Sequence, residues 1–273
     1  MKINYKFIYI FFLIFFCLYK KNERIRNLIY KSENYIHINY VRSLKKVIYT
    51  ALFGKYDYIK SINKEYGYDY IMFTDQNISN ITTNWTILSI DKNINYSKKF
   101  EVMKIQRFYK THPHIFFKDY DLSIYIDGTI AIKGNLDEFL IRILSKNKSI
   151  YTLEHPERIS IDNEFGAVLF FQRDSKENID FVKKRYNREE FPDNIGLSEN
   201  CLIVRKHNDI KCINFMNQWF YEINHYSYRD QLSFNYILWK TNISIVKYIS
   251  KNYMFEYFEQ NPRHLVKFIV PNI

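Results

Sequence analysis

Apolar residues in the central part of the chain fall into short strand-like runs, each followed by a polar residue or a glycine. These runs, rich in β-branched and aromatic side chains, cover residues 47–53, 69–75, 85–90 and 122–126. Apolar residues recur at helical spacing over 98–109 and again over 136–144. Strands that alternate with helices predict an α/β fold with a mainly parallel central sheet flanked by helices.

Few chain-breaking residues interrupt this pattern. The sequence has only 6 Gly and 5 Pro in 273 residues, with no linker and no internal repeat, so we expect a single domain over 46–273. Residues 160–192 lack a clear period and are predicted to be irregular, except for a helix over about 178–188. A further helix is predicted to open at Arg229, with Ser227 as its N-cap.

The N-terminus has a different character. Residues 7–19 are almost uninterrupted apolar residues between basic residues, and no small-residue cleavage site follows. This pattern predicts an uncleaved single-pass membrane anchor over 1–22, although the run is shorter than the roughly 20 residues that a spanning helix prefers. A polar stem over 23–45 would follow. We expect a type II orientation and, in a eukaryotic or viral host, a Golgi-like location. The basic residues after the run argue against that orientation by the positive-inside rule.

Composition limits the classes of ligand that the protein is expected to bind. The net charge of +11, from 40 Lys and Arg against 29 Asp and Glu, indicates either an anionic ligand or a lysine-rich solvated surface. No block of consecutive basic residues indicates a nucleic-acid partner. The cysteines show no zinc-type spacing, and Cys201 and Cys212 are expected to be buried thiols rather than a disulfide.

The strand over 122–126 ends in Asp127, Gly128 and Thr129, which makes this junction the strongest chemical signal in the chain. Ligands of α/β sheets bind at the carboxyl ends of the strands. A carboxylate there can hold a divalent cation, which then neutralises a nucleotide diphosphate. The alternative is an ordinary Asp-Gly turn.

Several motifs, each weak alone, occur in a specific order along the chain. They are Tyr49–Asp57, Phe73–Asp75, Arg107–Lys110 with His112–Pro113, Ile124–Gly128, His155–Arg158 with Glu164, Gly196–Leu197, Arg205–Asn208 and Ser227–Phe234. In this order they resemble a family of glycosyltransferase-like domains, formerly of unknown function. That family includes plant Golgi proteins linked to seed mucilage and turgor regulation, and bacterial capsule-locus proteins. The resemblance covers most of 46–273.

The resemblance implies a GT-A-like nucleotide-sugar-binding fold and transfer of a hexose from a nucleotide sugar, a UDP-sugar being favoured, to a glycan acceptor. Within that fold, the first two strand ends suit the base and ribose. Thr50, Ala51, Phe53 and Gly54 would let the backbone approach a uracil-like base, and Asp75 could accept a hydrogen bond from base or ribose. Core packing is the alternative for Phe53.

The resemblance also suggests two ways to neutralise the donor diphosphate. Asp127 could ligate Mn²⁺ or Mg²⁺, although Thr129 stands where related transferases carry a second Asp. Alternatively, basic side chains replace the metal, although each could equally form a surface salt bridge. The candidate cations are Arg107, Lys110, Arg158 and Arg205.

Two further groups are candidates for catalysis. His155 and Arg158 lie three positions apart, before Glu164, and one turn could direct both at the same ligand, although a lone His is more often structural.

The second group is Asp230, between Arg229 and Gln231. An Asp-Gln pair at the acceptor-side helix of many GT-A-like enzymes makes Asp230 a candidate sugar contact and, in an inverting enzyme, the base. Arg229 and Gln231 are expected to bind the donor. Helix-dipole stabilisation is the structural alternative for Asp230, and His264 is a weaker candidate for a late metal ligand.

Two other functions remain open. The fold could serve a non-catalytic glycan-binding domain, which the absence of a second Asp at Thr129 favours. A lipid-amide (ceramide) hydrolase is the other alternative, although the sequence contains no GxSxG and no HExxH motif.

Overall fold

The computed structural model describes residues 35–54, 59–77, 83–90 and 99–260. The predicted anchor over 1–22, most of the stem, the 55–57 part of the first motif and His264 lie outside these residues. Within the described residues, no helix is both long and apolar enough to cross a membrane.

The strands are β1 (Lys46–Leu52), β2 (Tyr68–Thr74), β3 (Thr86–Ser89), β4 (Leu122–Ile126), β5 (Ile130–Ile132), β6 (Ile150–Glu154), β7 (Ser198–Arg205), β8 (Val246–Ile249) and β9 (Phe258–Gln260). Residues 35–43 are helical and are called α1. The helices that follow are α2 (Lys99–Thr111), α3 (Pro113–Phe116), α4 (Leu136–Leu144), α5 (Ile161–Phe170), α6 (Lys176–Arg188), α7 (Ile210–His225), α8 (Asp230–Thr241) and α9 (Lys251–Tyr257).

One seven-stranded sheet, in the order β3-β2-β1-β4-β7-β6-β8, forms the centre of the molecule. Strand β1 pairs in parallel with β2 and β4, β2 with β3, and β6 with β8. Within this sheet, β7 runs antiparallel to both β4 and β6, and a separate two-stranded sheet pairs β5 with β9 in antiparallel fashion. The predicted α/β fold with a mainly parallel sheet is therefore confirmed. The carboxyl ends of β1, β2 and β4 all lie at one edge.

Strands β1 and β4 are buried along their whole length, so both faces of the sheet are covered. Tyr49 and Tyr125 pack on the side of α2, α7 and α8, whereas Ile48 and Ile124 pack on the opposite side, against residues of α4 and α9. Because side chains alternate along a strand, neighbouring residues at the carboxyl ends of β1 and β4 face different sides of the sheet.

The prediction of an irregular segment over 160–192 is wrong in its first half. Two helices occupy it, α5 and α6, and each begins with a serine cap. The hydroxyl of Ser160 accepts a hydrogen bond from the Asn163 amide and that of Ser175 from the Asn178 amide, both at 3.1 Å. Exposed aromatic and charged residues on the outer faces obscure the apolar period of these helices.

The predicted N-cap of α8 is also wrong. Arg229 occupies that position, and no side chain caps the helix. The hydroxyl of Ser227 instead accepts a hydrogen bond from the Arg229 amide at 3.2 Å, which forms a turn before the helix. Cys201 and Cys212 are free and buried, as predicted.

Candidate functional site

The carboxyl edge of the sheet carries a cavity of about 200 Å³ with Asp127 in its wall. The amide of Asp127 donates to the carbonyl of Cys201 at 2.8 Å, which extends the β4–β7 pairing by one residue. Its carboxylate remains 35% exposed. The polar and charged lining residues are Gln106, Arg107, Lys110, Asp127, Thr129, Arg173, Glu199, Asn200, Arg229, Asp230, Gln231 and Gln260. We call this space the cationic cavity.

Helix α2 supplies the central cation of the cavity. The ammonium of Lys110 lies 2.6 Å from Asp230 Oδ2 and 3.7 Å from Asp127 Oδ1, and 4.9 Å from the centre of the Tyr125 ring. One turn earlier, a guanidinium nitrogen of Arg107 lies 3.6 Å from Asp230 Oδ1. The basic side chains of α2 therefore link Asp127, which follows β4, to Asp230 at the start of α8.

The first turn of α8 supplies Asp230, whose backbone carbonyl accepts a hydrogen bond from the Trp219 indole at 3.0 Å. Burial alone would raise the pKa of Asp230, but the charges of Arg107, Lys110 and Arg229 hold that pKa well below its usual value. A carboxylate with so low a pKa is a weak proton acceptor. This geometry favours Asp230 as an anchor for cations over the predicted role of base.

Two guanidinium groups in the cavity wall have unused donors. The Nε atoms of Arg107 and Arg229 are buried and have no hydrogen-bond partner among the described residues. Buried donors without partners are costly, which is a reason to expect an acceptor from a ligand. Arg173 adds a further positive charge to the same wall. Together these groups suit an anionic ligand.

A second cavity, of about 90 Å³, opens on the opposite face of the same sheet edge and shares Leu52, Asp127 and Gly128 with the first. Its other lining residues are Thr50, Lys60, Ser61, Ile62, Met72, Trp85, Ile126, Ile130 and Ala131. We call it the apolar cavity. The hydroxyl of Thr50 is buried in this wall and has no partner among the described residues.

The predicted donor contacts at the end of β1 thus divide between the two cavities. Ala51 and Phe53 line the cationic cavity, and Phe53 also stacks on Tyr109, with ring centres 5.2 Å apart. Thr50 lines the apolar cavity. Strand alternation explains the division, because a single strand end presents its side chains to both faces of the sheet.

Asp75 and Gly54 form a support outside both linings. The Gly54 amide donates to both carboxylate oxygens of Asp75 at 3.0 Å, while Gln76 Nε2 donates to the Gly54 carbonyl at 2.8 Å. Gly54 has φ +69°, a conformation that strongly favours glycine. In this structure Asp75 fixes the turn after β1, and it does not line either cavity.

His155 and Arg158 are not brought into the cavities. His155 Nδ1 accepts from the Arg158 amide at 3.0 Å, and Arg158 Nε donates to Glu164 at 2.6 Å. Burial, with a smaller contribution from the charges of Arg158 and Lys251, lowers the pKa of His155 to about 4. A neutral histidine tied to its own loop has the character of a structural residue.

Arg205 also lies behind the cavity wall. It is fully buried, donates to the Lys110 carbonyl at 2.8 Å and hydrogen-bonds the Tyr49 hydroxyl. Tyr49 donates to the same carbonyl at 2.8 Å. Arg205 therefore positions the end of α2, and with it Lys110, without touching the cavity.

The sequence reasoning missed Gln106 and Arg173. Gln106 Nε2 donates to the Tyr125 hydroxyl at 2.7 Å, and Tyr125 in turn donates to Asp127 Oδ1 at 2.7 Å. Tyr125 looks like a core residue in the strand pattern, so nothing marks this chain of bonds. Arg173 follows α5, in the segment that was predicted to be irregular.

The side chains around Asp127 fit a resident Mn²⁺ or Mg²⁺ poorly. No three His, Cys, Asp or Glu side chains in the described part of the chain are grouped to hold a metal. Asp127 Oδ1 already accepts from Tyr125, and the carboxylates of Asp127 and Asp230 share the Lys110 ammonium. Divalent cations of this type prefer several oxygen ligands without a competing positive charge.

These features define an α/β domain with a cleft lined by basic side chains at the carboxyl edge of its sheet. The sequence pattern of the TOD1/MUCI70 glycosyltransferase-like domain matches residues 21–268. The chain therefore belongs to the TOD1/MUCI70 family of glycosyltransferase-like domains, as its motifs suggested. No curated protein shows a significant match to the sequence.

Solved structures with a similar fold include glycosyltransferases. The bifunctional glycosyltransferase WbbM, in its apo form, has 13% identity and a TM-score of 0.42 over 76% of this chain and 39% of its own. GlyE of Streptococcus pneumoniae TIGR4 has 9% identity and a TM-score of 0.40 over 78% and 46%. The mannosyltransferase Ktr4p of S. cerevisiae has 10% identity and a TM-score of 0.36, over 74% of this chain and 72% of its own. The chain thus spans less than half of the first two.

Proposed function

We propose that the protein is a glycosyltransferase that moves a hexose from a nucleotide sugar, with UDP as the carrier, to a glycan acceptor. Membership of a glycosyltransferase-like family supports the general activity. The observation that carries the proposal is the pair of cavities that meet at Asp127 and Gly128, one cationic and one apolar. A nucleotide sugar has the matching parts, a flat base joined to a sugar through a diphosphate.

In this proposal the base occupies the apolar cavity, beside Thr50 and Trp85. The diphosphate crosses the shared rim at Gly128, where the residue has no side chain. The hexose then lies in the cationic cavity near Asp230 and Gln231. Arg107 and Arg229 would stabilise the charge that develops on the leaving diphosphate, which is the main electrostatic task in such a transfer.

The experiment is a donor-hydrolysis assay on the full-length protein with a panel of nucleotide sugars, read as release of the nucleoside diphosphate. We expect release from a UDP-hexose, and at least a tenfold loss of it in Asp127→Asn. Asp119→Asn, which changes an exposed carboxylate near the start of β4, is the matched control and should keep full activity.

Glycan binding without hydrolysis of any donor would contradict the proposal and favour a non-catalytic binding domain. Ceramide turnover in place of donor hydrolysis would favour the lipid-amide hydrolase. Equal loss of activity in both aspartate variants would show that Asp127 has no special role.

We further propose that residues 1–22 anchor the protein in a membrane, on the basis of the apolar run between basic residues. Extraction of membranes with alkaline carbonate tests this part separately. The full-length protein should stay in the pellet, whereas a variant lacking residues 1–22 should move to the supernatant. Release of both would contradict the anchor without affecting the proposed activity.

A further inference from the structure

The ammonium of Lys110 occupies the place where a bridging metal ion would be expected. It lies between Asp127 of the strand end and Asp230 of α8, at 3.7 Å and 2.6 Å from their oxygens. We propose that this ammonium is a built-in substitute for a divalent cation, so that the protein binds the diphosphate of its donor without metal. This inference rests on the proposed function, because it concerns how the same donor is held.

Lys110 is fixed as rigidly as a bound ion would be. Its side chain is only 2% exposed, and the ring of Tyr125 lies beside the ammonium. Its own backbone carbonyl accepts hydrogen bonds from Tyr49 and Arg205 at the end of α2. A lysine normally loses much rotamer freedom when it binds a ligand, and here that loss has already occurred on folding.

The charges around Lys110 oppose an additional metal. Arg107, Arg173 and Arg229 line the same cavity, whereas one oxygen of Asp127 is used by Tyr125 and Asp230 is paired with two cations. A divalent cation would have to displace the ammonium or lie beside it. A diphosphate, in contrast, would meet the ammonium together with the unpartnered Nε donors of two arginines.

Calorimetric titration of UDP into the full-length protein tests this inference, with excess EDTA in one arm and millimolar MnCl₂ in the other. We expect the wild-type affinity to be the same in both arms within about twofold. Lys110→Gln should weaken UDP binding by at least tenfold in EDTA, because the neutral amide cannot replace the charge. Lys118→Gln, which changes an exposed lysine after α3, is the control and should bind like the wild type.

Removal of Lys110 should also create a metal site. In Lys110→Gln the cation that contacts both carboxylates is gone and Arg107 still contacts Asp230, at 3.6 Å, so Mn²⁺ should bind beside Asp127 and restore part of the UDP affinity. Electron paramagnetic resonance of Mn²⁺ without nucleotide gives an independent measurement: bound metal is expected in the variant and not in the wild type. Lys110→Arg keeps the positive charge, and it is the variant to test if Lys110→Gln fails to fold.

The possible failures are distinguishable. Wild-type UDP binding that disappears in EDTA and returns with Mn²⁺ would overturn the inference and leave the proposed function standing. Unchanged binding by folded Lys110→Gln in EDTA would likewise overturn it. If UDP binds in neither arm, the proposed donor fails, and this inference fails with it.

Discussion

The hydroxyl of Thr50 illustrates how much a single buried atom can indicate. Thr50 is 1% exposed and its Oγ1 has no partner among the described residues, although it lies in the wall of the apolar cavity. A buried polar atom without a partner lowers stability, and a ligand that supplies a partner would recover that cost.

Thr50→Val therefore separates binding from stability. We expect the variant to bind UDP up to about tenfold more weakly, which corresponds to one hydrogen bond of about 1.4 kcal/mol. Its melting temperature should be unchanged or higher, since the replacement has the same shape and removes an unsatisfied group. Calorimetry and thermal unfolding give the two readouts. Unchanged affinity would remove Thr50 from the donor site.

At this scale the sequence predicts which residues belong to the site region better than what each one does. Asp127, Arg107 and Lys110 line the cationic cavity, whereas Asp75 and Arg205 support its walls from behind. A motif marks both kinds of residue equally. Only the burial and the partners of each side chain separate a lining residue from a supporting one.

At the scale of the elements, a buried ion pair joins α6 to α7. Arg185 Nη1 donates to Glu222 Oε1 at 3.2 Å, both side chains are at least nine-tenths buried, and the guanidinium lies 3.7 Å from the centre of the Tyr226 ring. Removing one member of such a pair leaves an uncompensated buried charge.

Arg185→Met should lower the free energy of unfolding by about 3 kcal/mol or more, because Glu222 stays buried without its partner. Lys183→Met is the matched control on the same helix. Its pair with Asp162, at 2.9 Å, is 40–49% exposed, and its loss should cost less than about 1 kcal/mol. Urea denaturation measures both. Similar effects in the two variants would contradict this assignment.

Two glycines offer a second contrast between elements. A Cβ on Gly134, just before α4, would lie 2.8 Å from the Cα of Tyr257, whereas one on Gly166 within α5 would meet nothing within 4 Å. Gly134→Ala should destabilise by about 1–3 kcal/mol through this overlap. Gly166→Ala should stabilise by about 0.5–1 kcal/mol, because alanine favours the helix. Opposite signs in urea denaturation are the expected result.

The predictions of helices and strands are correct where the apolar period is strong and wrong where exposed apolar residues mask it. Strand β4 and helix α4 have the predicted bounds. Helix α5 was missed because Phe170 and Phe171 are exposed, at 81% and 59%, and blur the contrast between its two faces. Surface aromatics carry the same sequence signal as core residues, and only tertiary structure distinguishes them.

At the scale of the molecule, three histidines that are buried in the described part of the chain couple stability to pH. Burial lowers the pKa of His112, His155 and His207 to about 4 in each case. In the unfolded chain a histidine titrates near 6.5, so between pH 6.5 and pH 4 the unfolded state binds more protons than the folded state. This contribution to stability is complete above pH 6.5 and is lost as the pH falls towards 4.

The free energy of unfolding should therefore be lower at pH 5 than at pH 7.5, by about 1–2 kcal/mol for each of the three histidines. Urea denaturation at the two pH values measures the difference, and His207→Asn should reduce it by roughly one third. Equal stability at both values would contradict neutral burial of these side chains.

The overall architecture was predictable only in part. Local periodicity predicts the strands and their mainly parallel arrangement, because strand–helix alternation leaves few other connections. The position of β7, antiparallel between β4 and β6, depends on pairing between residues far apart in the chain. No local pattern encodes such pairing, and it is β7 that brings Glu199 and Asn200 to the cationic cavity.

The rim that the two cavities share, formed by Leu52, Asp127 and Gly128, has a practical consequence for chemical probes. Because the cavities meet at these residues, ligands in the two chambers would lie next to each other. Two weakly binding fragments, one aromatic and one acidic, could occupy the chambers at the same time. Joining them by a slender tether would raise the effective concentration of each for its own chamber, and the affinities would reinforce one another. Selective inhibitors of this protein are therefore best assembled from two halves.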